Sequence, residues 1–167
     1  MKITPNNLTI GQLFTNSMEQ FFIPAYQRRY AWNIKQLDAL FSDINQLNEN
    51  DFHLLGTIIF LTEEHKAGLN ILEVVDGQQR ITTLSILLKV IKDYFEGTSE
   101  EEAGEVKRYL TCKDIERKQF NKMKLGDLDN SDYEKIVNDD LEEIQNQNLL
   151  SAYSYFKEKI DLLDDKT

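Results

Sequence analysis

The sequence predicts an α+β fold, in which a small mixed sheet packed with helices is followed by a helical extension. In residues 1–95, segments of strand-like composition alternate with segments of helical period in the order β-α-β-β-α, which is typical of a mixed layer fold. Farther on, apolar residues recur only at helical spacing. The charge changes at the same place: residues 1–95 hold 8 basic and 10 acidic side chains, and residues 96–167 hold 11 and 19.

A boundary is predicted at the acidic, turn-forming stretch 96–102 (EGTSEEE). Residues 1–96 would form a compact α+β unit, and residues 97–167 an acidic helical extension of the same domain. A solvated loop inside one domain explains the same composition equally well, so both interpretations stay open.

The first predicted strand is residues 20–23 (QFFI), which Pro24 ends because proline has no N–H for the ladder. A helix then begins at Asn33, which forms the pattern of a capping box with Gln36. Its apolar face is formed by residues at three- and four-residue spacing: Ile34, Leu37, Leu40, Phe41, Ile44 and Leu47.

Two strands and a second helix follow. Residues 54–61 are apolar and rich in β-branched side chains, which predicts a buried strand. Residues 63–70 are polar and predict a loop or a hairpin connection, and residues 71–75 predict the next strand. The helical spacing returns from about residue 79, with Ile81, Leu84, Leu87, Leu88, Ile91 and Phe95.

The second half of the chain predicts helices alone. The charged segments 100–120, 131–138 and 140–163 carry apolar residues at helical spacing, and we find no strand pattern among them.

Composition excludes several classes of protein. The single cysteine, Cys112, excludes an intramolecular disulfide framework, and two histidines supply little for a metal cluster. We expect no membrane segment and a cytoplasmic location, since no run of 18 apolar residues and no signal-peptide pattern occur. The net charge of −10 argues against a protein that coats nucleic acid by bulk charge.

The segment 75–84 (VDGQQRITTL) breaks a local rule. Asp76-Gly77 after a strand usually signals a hairpin, yet a helical pattern follows, which predicts a strand, a tight turn and a helix. Such a junction directs free N–H groups and the positive end of the helix dipole at one point, so it suits a phosphate. A capping box between Asp76 and Gln79 would explain part of the pattern without a ligand.

Capping does not explain Arg80. A cation in the first helical turn opposes the helix dipole, so local stability would not select it. A bound phosphate would reverse that sign, because the guanidinium presents a planar set of donors. The amides of Gln78 and Gln79 would add contacts to a base, a ribose or a water. We therefore hypothesise a phosphate site at this turn.

The segment 23–32 (IPAYQRRYAW) is the most basic and aromatic stretch of the chain. Aromatic rings beside Arg28 and Arg29 suit stacking on bases and pairing with phosphates. The alternative is a loop whose rings anchor it to the core and whose arginines pair with acidic neighbours. A Gln-Arg pair occurs at both junctions, at 27–28 and 79–80, which favours convergence of the two segments on one ligand.

Together, these segments resemble the N-terminal domain of GmrSD-like proteins, a family of modification-dependent (type IV) restriction systems. The resembling patterns are I-P-x-Y-Q-R-x-Y-x-W and, farther on, D-G-Q-Q-R-x-T-T-L. Weaker similarity continues through residues 124–134 and 151–156, so the resemblance covers nearly the whole chain.

The resemblance implies a fold similar to the ParB/sulfiredoxin superfamily, with a nucleoside triphosphate (NTP) bound and hydrolysed at the Asp76–Arg80 turn to control DNA cleavage. It implies catalytic roles for Asp76, Gln79 and Arg80, with Asp76 also holding the Mg²⁺ that accompanies the triphosphate. Glu73 is a poorer metal partner, because it lies three residues earlier and points to the opposite face of the strand. The residues implied to bind the nucleotide are Tyr26, Gln27, Arg28, Gly77, Gln78, Thr82 and Thr83.

Members of this family usually carry a C-terminal His-Asn-His nuclease domain. No histidine follows residue 65 here, so we expect the nuclease partner to be another domain or a separate subunit. Two alternatives remain. One is a non-catalytic module that binds or senses modified DNA through Tyr26, Gln27 and Arg28. The other is an interaction domain whose acidic half docks another subunit.

Overall fold

The computed structural model describes residues 4–164, apart from the side chains of residues 63–65 and 164. Its elements in chain order are α1 (Ile10–Phe14), β1 (Glu19–Phe22), α2 (Ile34–Asn45), β2 (Ile59–Lys66), β3 (Leu69–Asp76), α3 (Gln78–Glu96), α4 (Glu100–Leu110), β4 (Thr111–Lys113), β5 (Gln119–Asn121), β6 (Met123–Lys124), α5 (Asp127–Val137) and α6 (Gln147–Asp164).

A four-stranded mixed sheet organises these elements in the order β2-β3-β1-β6. Strand β1 runs parallel to both β3 and β6, and β2 pairs antiparallel with β3 as a hairpin. A separate two-stranded hairpin is formed by β4 and β5. The α+β class and the small mixed sheet predicted from the sequence are therefore confirmed.

The hydrophobic core lies between one face of this sheet and the helices. Phe21 of β1, Val74 of β3, Ile81 of α3 and Phe156 of α6 are all 0% exposed and belong to one cluster. Helix α3 packs against both α4 and α6. The long helix that follows the Asp76-Gly77 turn is thus held on its apolar side, and this fixes the position of its first turn.

The first strand and the first long helix follow the sequence closely. Strand β1 begins one residue earlier than predicted, at Glu19. The predicted capping box of α2 is present, with Lys35 N donating to Asn33 Oδ1 at 3.0 Å and Asn33 N donating to Gln36 Oε1 at 2.8 Å.

The predicted buried strand at residues 54–61 is wrong in its first half. Strand β2 begins at Ile59, and Leu54 is 89% exposed. The reason is the length of the partner strand: Ile59 pairs with Asp76, the last residue of β3, so residues before 59 have no strand to pair with. The polar stretch at 63–70 is a hairpin, as one of the two alternatives held, but its strands reach as far as residues 66 and 69.

The expectation that the second half holds only helices is also wrong. Residues 111–121 contain β4 and β5, and β6 adds to the main sheet beside β1. These strands have only two or three residues, which is too short for an alternating pattern to stand out in the sequence. Strand β6 brings a third segment to the edge of the sheet where the two motifs lie.

Candidate functional site

Three chain segments meet at one edge of the sheet. Because β3, β1 and β6 are parallel neighbours, their carboxyl ends lie at the same edge. The segment 23–33 follows β1, helix α3 follows β3, and helix α5 follows β6. In open sheets of this kind, ligands bind beyond the carboxyl ends of parallel strands. The sequence predicted the convergence of the first two segments, and the structure adds the third.

The first turn of α3 has unpaired N–H groups. Its N-cap is Gly77, which makes no side-chain cap hydrogen bond, and the first intrahelical bond runs from Ile81 N to Gly77 O. Within residues 4–164, the N–H groups of Gln78, Gln79 and Arg80 have no acceptor. The predicted alternative, a capping box between Asp76 and Gln79, is therefore wrong.

Glycine is required at this turn for two reasons. Gly77 has a φ of 84°, in the left-handed region that other residues avoid. A Cβ atom at this position would also lie 3.0 Å from Ile58 Cγ1 and 3.2 Å from Thr57 O. Strand β3 can thus turn directly into α3 while the segment before β2 packs against the turn.

Gln79 joins the segment 23–32 to the start of α3 through hydrogen bonds. It is only 6% exposed, its Oε1 accepts a hydrogen bond from Ala31 N at 2.7 Å, and its Nε2 donates to Arg29 O at 3.1 Å. Thr83 is buried one turn later, and its hydroxyl donates to Gln79 O at 2.8 Å. Because the Thr83 hydroxyl has only one hydrogen, it accepts in its second bond, and the Tyr30 hydroxyl donates to Thr83 Oγ1 at 2.7 Å. Burial raises the pKa of Tyr30, which keeps this hydroxyl protonated as a donor.

The third segment completes this buried arrangement through Asp129. Its carboxylate accepts hydrogen bonds from Tyr30 N at 2.7 Å and from Arg29 Nε at 2.7 Å. The side-chain amide of Asn146 donates to Asp129 Oδ1 at 2.9 Å and to Tyr30 O at 3.1 Å. Sequence reasoning missed Asp129 and Asn146, since an isolated Asp or Asn in a charged helical stretch carries no signal of burial.

A narrow cavity lies where the three segments meet, with a volume of about 20 Å³. Five of the predicted site residues line it: Gln27, Arg28, Gln78, Gln79 and Thr82. The third segment lines it through Leu125, Leu128, Asp129 and Gly126, the N-cap of α5. A volume of this size holds about one water molecule or one phosphate oxygen.

Arg28 stands out among these residues. Its guanidinium is exposed and has no hydrogen-bond or ion-pair partner among the residues that the structure describes. Its neighbour Arg29 is bound to Asp129 instead, and its Nη2 donates to Leu128 O at 3.3 Å. The alternative read from the sequence, arginines that pair with acidic neighbours, therefore describes Arg29 and not Arg28.

The other predicted residues lie outside the cavity lining: Tyr26, Asp76, Gly77, Arg80 and Thr83. Arg80 Nη1 donates to Thr57 O at 2.8 Å, and its guanidinium lies flat against Gly56. Capping could not explain why an arginine occupies the first turn of α3. In the structure, the Arg80 guanidinium is hydrogen-bonded to the backbone carbonyl oxygen of Thr57.

The exposed end of β3 carries the remaining polar groups. The Tyr26 hydroxyl donates to Glu73 Oε1, and Gln27 Nε2 donates to Val75 O at 3.2 Å. These contacts hold the segment after β1 against β3. Asp76 is exposed, and its carboxylate has no partner within the described part of the chain.

Among the residues whose side chains the structure describes, no three His, Cys, Asp or Glu side chains lie close enough together to hold a metal ion. No helix in residues 4–164 is both long and apolar enough to cross a membrane.

The chain matches a model of a known protein family. The family model described as "GmrSD restriction endonuclease, N-terminal domain" matches residues 10–167. The match includes all three segments that meet at the cavity. Among curated proteins, none matches the chain.

Proposed function

The chain belongs to the family of GmrSD restriction endonuclease N-terminal domains, and from this premise we propose that it binds the phosphates of an NTP at the first turn of α3. A role in restriction follows from the family. The nucleotide would regulate a nuclease carried on a C-terminal domain or a partner subunit. The observation that carries the proposal is the uncapped start of α3 beside an arginine, Arg28, that has no partner among the residues whose side chains the structure describes.

Both features favour an anion. Three N–H groups at the start of a long helix present partial positive charge, and a helix of 19 residues supplies a full dipole. Arg28 and Gln78 both line the adjacent cavity, so an anion there would receive backbone donors from one side and a guanidinium from the other. No internal carboxylate competes for Arg28 among the described residues.

The size of the cavity limits how the ligand enters. A volume of about 20 Å³ admits a phosphate oxygen but no base or ribose. The rest of the nucleotide would therefore lie outside it, over the exposed part of segment 25–28. Tyr26 is 73% exposed there and offers a ring face.

We propose different roles for different residues of the segment 75–84. Gln79 and Thr83 would act as positioning residues, since their side chains are hydrogen-bonded to the segment after β1 and to the backbone of α3. Thr82 lines the cavity and is 1% exposed, so it would limit the depth to which a phosphate oxygen can enter. Arg80 would contribute its charge from beside Thr57 O.

Hydrolysis would depend on Asp76. A single exposed carboxylate suits Mg²⁺ only when phosphate oxygens complete the coordination, and the donor set here fits that arrangement. When bound, the ion would supply charge neutralisation for the transferred phosphoryl group. The residues of the chain would hold the phosphates through the α3 N–H groups and Arg28.

Calorimetric titration of the chain with ATP and GTP in the presence of Mg²⁺ tests binding. We expect Arg28→Ala to weaken the affinity about 10- to 100-fold, because a charge-assisted hydrogen bond is lost. The matched control is Arg108→Ala, which removes an exposed arginine on α4 and should leave the affinity unchanged.

Two results would contradict the proposal. If neither nucleotide binds the unmodified chain, the chain is not an NTP-binding domain. If binding occurs but Arg28→Ala and Arg108→Ala behave alike, the nucleotide site lies elsewhere on the molecule.

A second candidate is a DNA-binding module, which the exposure of both Tyr26 and Arg28 on one loop favours. Phosphate contacts of this kind make affinity fall steeply with salt. Fluorescence anisotropy with a labelled duplex, unmodified or modified, would then give a salt-dependent affinity that Arg28→Ala reduces. A flat salt response, or an unchanged affinity of Arg28→Ala, excludes this function.

A further inference from the structure

A second, larger cavity lies on the opposite face of the sheet. Along β1, Phe21 points into the core, so Gln20 and Phe22 point to the other face. Gln20 pairs with Ile71 of β3, and Phe22 pairs with Lys124 of β6, so these residues share that outer face.

The elements after α4 enclose this face. Phe120 and Asn121 of the β4–β5 hairpin stand beside it, with Asn130 and Glu134 from α5, and the space between has a volume of about 420 Å³. Volumes of roughly 300–1,000 Å³ are typical of small-molecule sites. None of the residues that line this cavity lines the cavity at the start of α3, so the two sites are separate.

Aromatic rings and ammonium groups define the chemistry of this outer-face cavity. Phe22 and Phe120 line it together with Leu69 and Ile71. Lys124 Nζ lies 6.0 Å from the centre of the Phe22 ring, and Lys118 Nζ lies 5.3 Å from the centre of the Phe120 ring. The cavity therefore offers apolar surface for a planar ring and positive charge at its margin.

Two carboxylates that line the cavity already accept hydrogen bonds, whereas Lys124 has no carboxylate partner in the part of the chain that the structure describes. Asp114 Oδ1 accepts from Glu116 N and Lys118 N, both at 2.9 Å, and Glu134 Oε1 accepts from Asn130 Nδ2 at 3.1 Å. In contrast, Lys124 has no carboxylate partner among the described residues. An anionic group on a ligand would supply that partner.

Amide groups add directional contacts. Gln20 Nε2 donates to Asn121 O at 2.8 Å, which leaves Gln20 Oε1 as an acceptor at the cavity. The side-chain amide of Asn121 has no hydrogen bond within the described residues and offers both a donor and an acceptor. These groups suit polar atoms at the edge of a ring.

From these contacts we propose that the outer-face cavity binds a small planar aromatic molecule with one anionic group. The ring lies on Phe22 and Ile71, its edge meets Gln20 and Asn121, and the anion meets Lys124. A nucleoside monophosphate and an aromatic carboxylate share this chemistry.

The test uses 8-anilinonaphthalene-1-sulfonate, an aromatic anion whose fluorescence rises in apolar surroundings, titrated into the full chain. We expect saturable binding at one site. Lys124→Glu should weaken it roughly tenfold, because the attraction to the sulfonate becomes repulsion. Lys107→Glu on α4 is the matched control, since it changes the same charge at an exposed lysine away from the cavity.

A second variant tests whether the dye occupies the outer-face cavity. Ile71→Trp fills the cavity and should abolish saturable binding, with circular dichroism confirming that the fold is kept. The proposal fails if the unmodified chain shows no saturable binding, if Lys124→Glu and Lys107→Glu bind equally, or if folded Ile71→Trp binds with full affinity.

Displacement of the dye then distinguishes the two sources of the ligand. AMP and anthranilate are the competitors. Displacement by AMP alone assigns the site to nucleotides, displacement by anthranilate alone assigns it to aromatic acids, and displacement by both supports the shared chemistry. If neither competes, the assignment of a ring with one anionic group is wrong.

Discussion

The two motif segments divide into a buried part and an exposed part with different physical tasks. The buried part is a network formed by Tyr30, Gln79, Thr83, Asp129 and Asn146, in which each member is hydrogen-bonded to another, and the half-exposed Arg29 joins it through its ion pair with Asp129. We call it the inner network. It joins the segment after β1 to α3 and α5. Among the residues whose side chains the structure describes, no buried side-chain polar atom lacks a partner.

The exposed part consists of Asp76 and Arg28 together with the half-buried Gln78, and we call it the outer rim. None of these side chains has a hydrogen-bond partner among the described residues. Neighbouring residues of the same type thus serve opposite purposes, because Arg28 and Gln78 face outward while Arg29 and Gln79 are used inside. Consecutive residues of these motifs thus alternate between side chains that hold the segments together and side chains that make no hydrogen bond within the described part of the chain.

The largest effect should come from the centre of the inner network. Asp129→Ala removes the acceptor of three hydrogen bonds, one of them from the buried Tyr30 N, so we expect the free energy of unfolding to fall by about 3 kcal/mol. Urea denaturation measures it. Asp127→Ala, at an exposed position in the same helical turn, should cost less than about 1 kcal/mol. If both variants lose the same free energy of unfolding, the hydrogen bonds of the inner network do not make a special contribution to stability.

The two adjacent glutamines provide the next comparison. Gln79→Ala leaves Ala31 N and Arg29 O without their partner, so unfolding should become easier by about 2 kcal/mol. Gln78→Ala should change stability by less than about 0.5 kcal/mol, as is usual for surface substitutions. In calorimetry with NTP, Gln78→Ala should still weaken binding. A stability loss of the same size in both variants would remove the distinction between network and rim.

Gly56 controls the position of Arg80, which belongs to neither part. It has a φ of 98°, and a Cβ there would lie 3.1 Å from Arg80 Cζ. Gly56→Ala should therefore cost about 1–2 kcal/mol of stability, through backbone strain and displacement of the guanidinium. Gly104→Ala in α4, where a Cβ meets nothing within 4 Å, should stabilise the chain by about 0.5–1 kcal/mol. Thermal unfolding of both variants distinguishes local strain from a general effect of alanine.

The sequence predicted the turn at the start of α3 better than it predicted some of the strands around it. The turn at residues 76–78 is visible because Asp-Gly before a helical pattern is a strong local signal. The family, the α+β class and the capped start of α2 follow in the same way from local patterns. The beginning of β2 does not, since it depends on where its partner strand ends.

The inner network could not be predicted because it depends on contacts far apart in the sequence. Asp129 and Asn146 meet Tyr30 across about a hundred residues, through a strand of only two residues, β6. Nor could the sequence separate Arg28 from Arg29. That distinction arises from the direction in which each side chain leaves the loop, and from the acidic partner that only one of them reaches.

The smallest change in stability should be found at Arg28 and Arg29, two adjacent arginines of which only Arg29 has an internal partner among the described residues. Arg29→Ala removes a half-exposed ion pair with Asp129 and should lower the free energy of unfolding by about 1 kcal/mol. Arg28→Ala should leave it within about 0.5 kcal/mol, because no internal contact is lost. The order should reverse for NTP affinity, with the greater loss in Arg28→Ala. If one variant loses more of both stability and affinity, the division between inner network and outer rim is wrong, because one side chain would then perform both tasks.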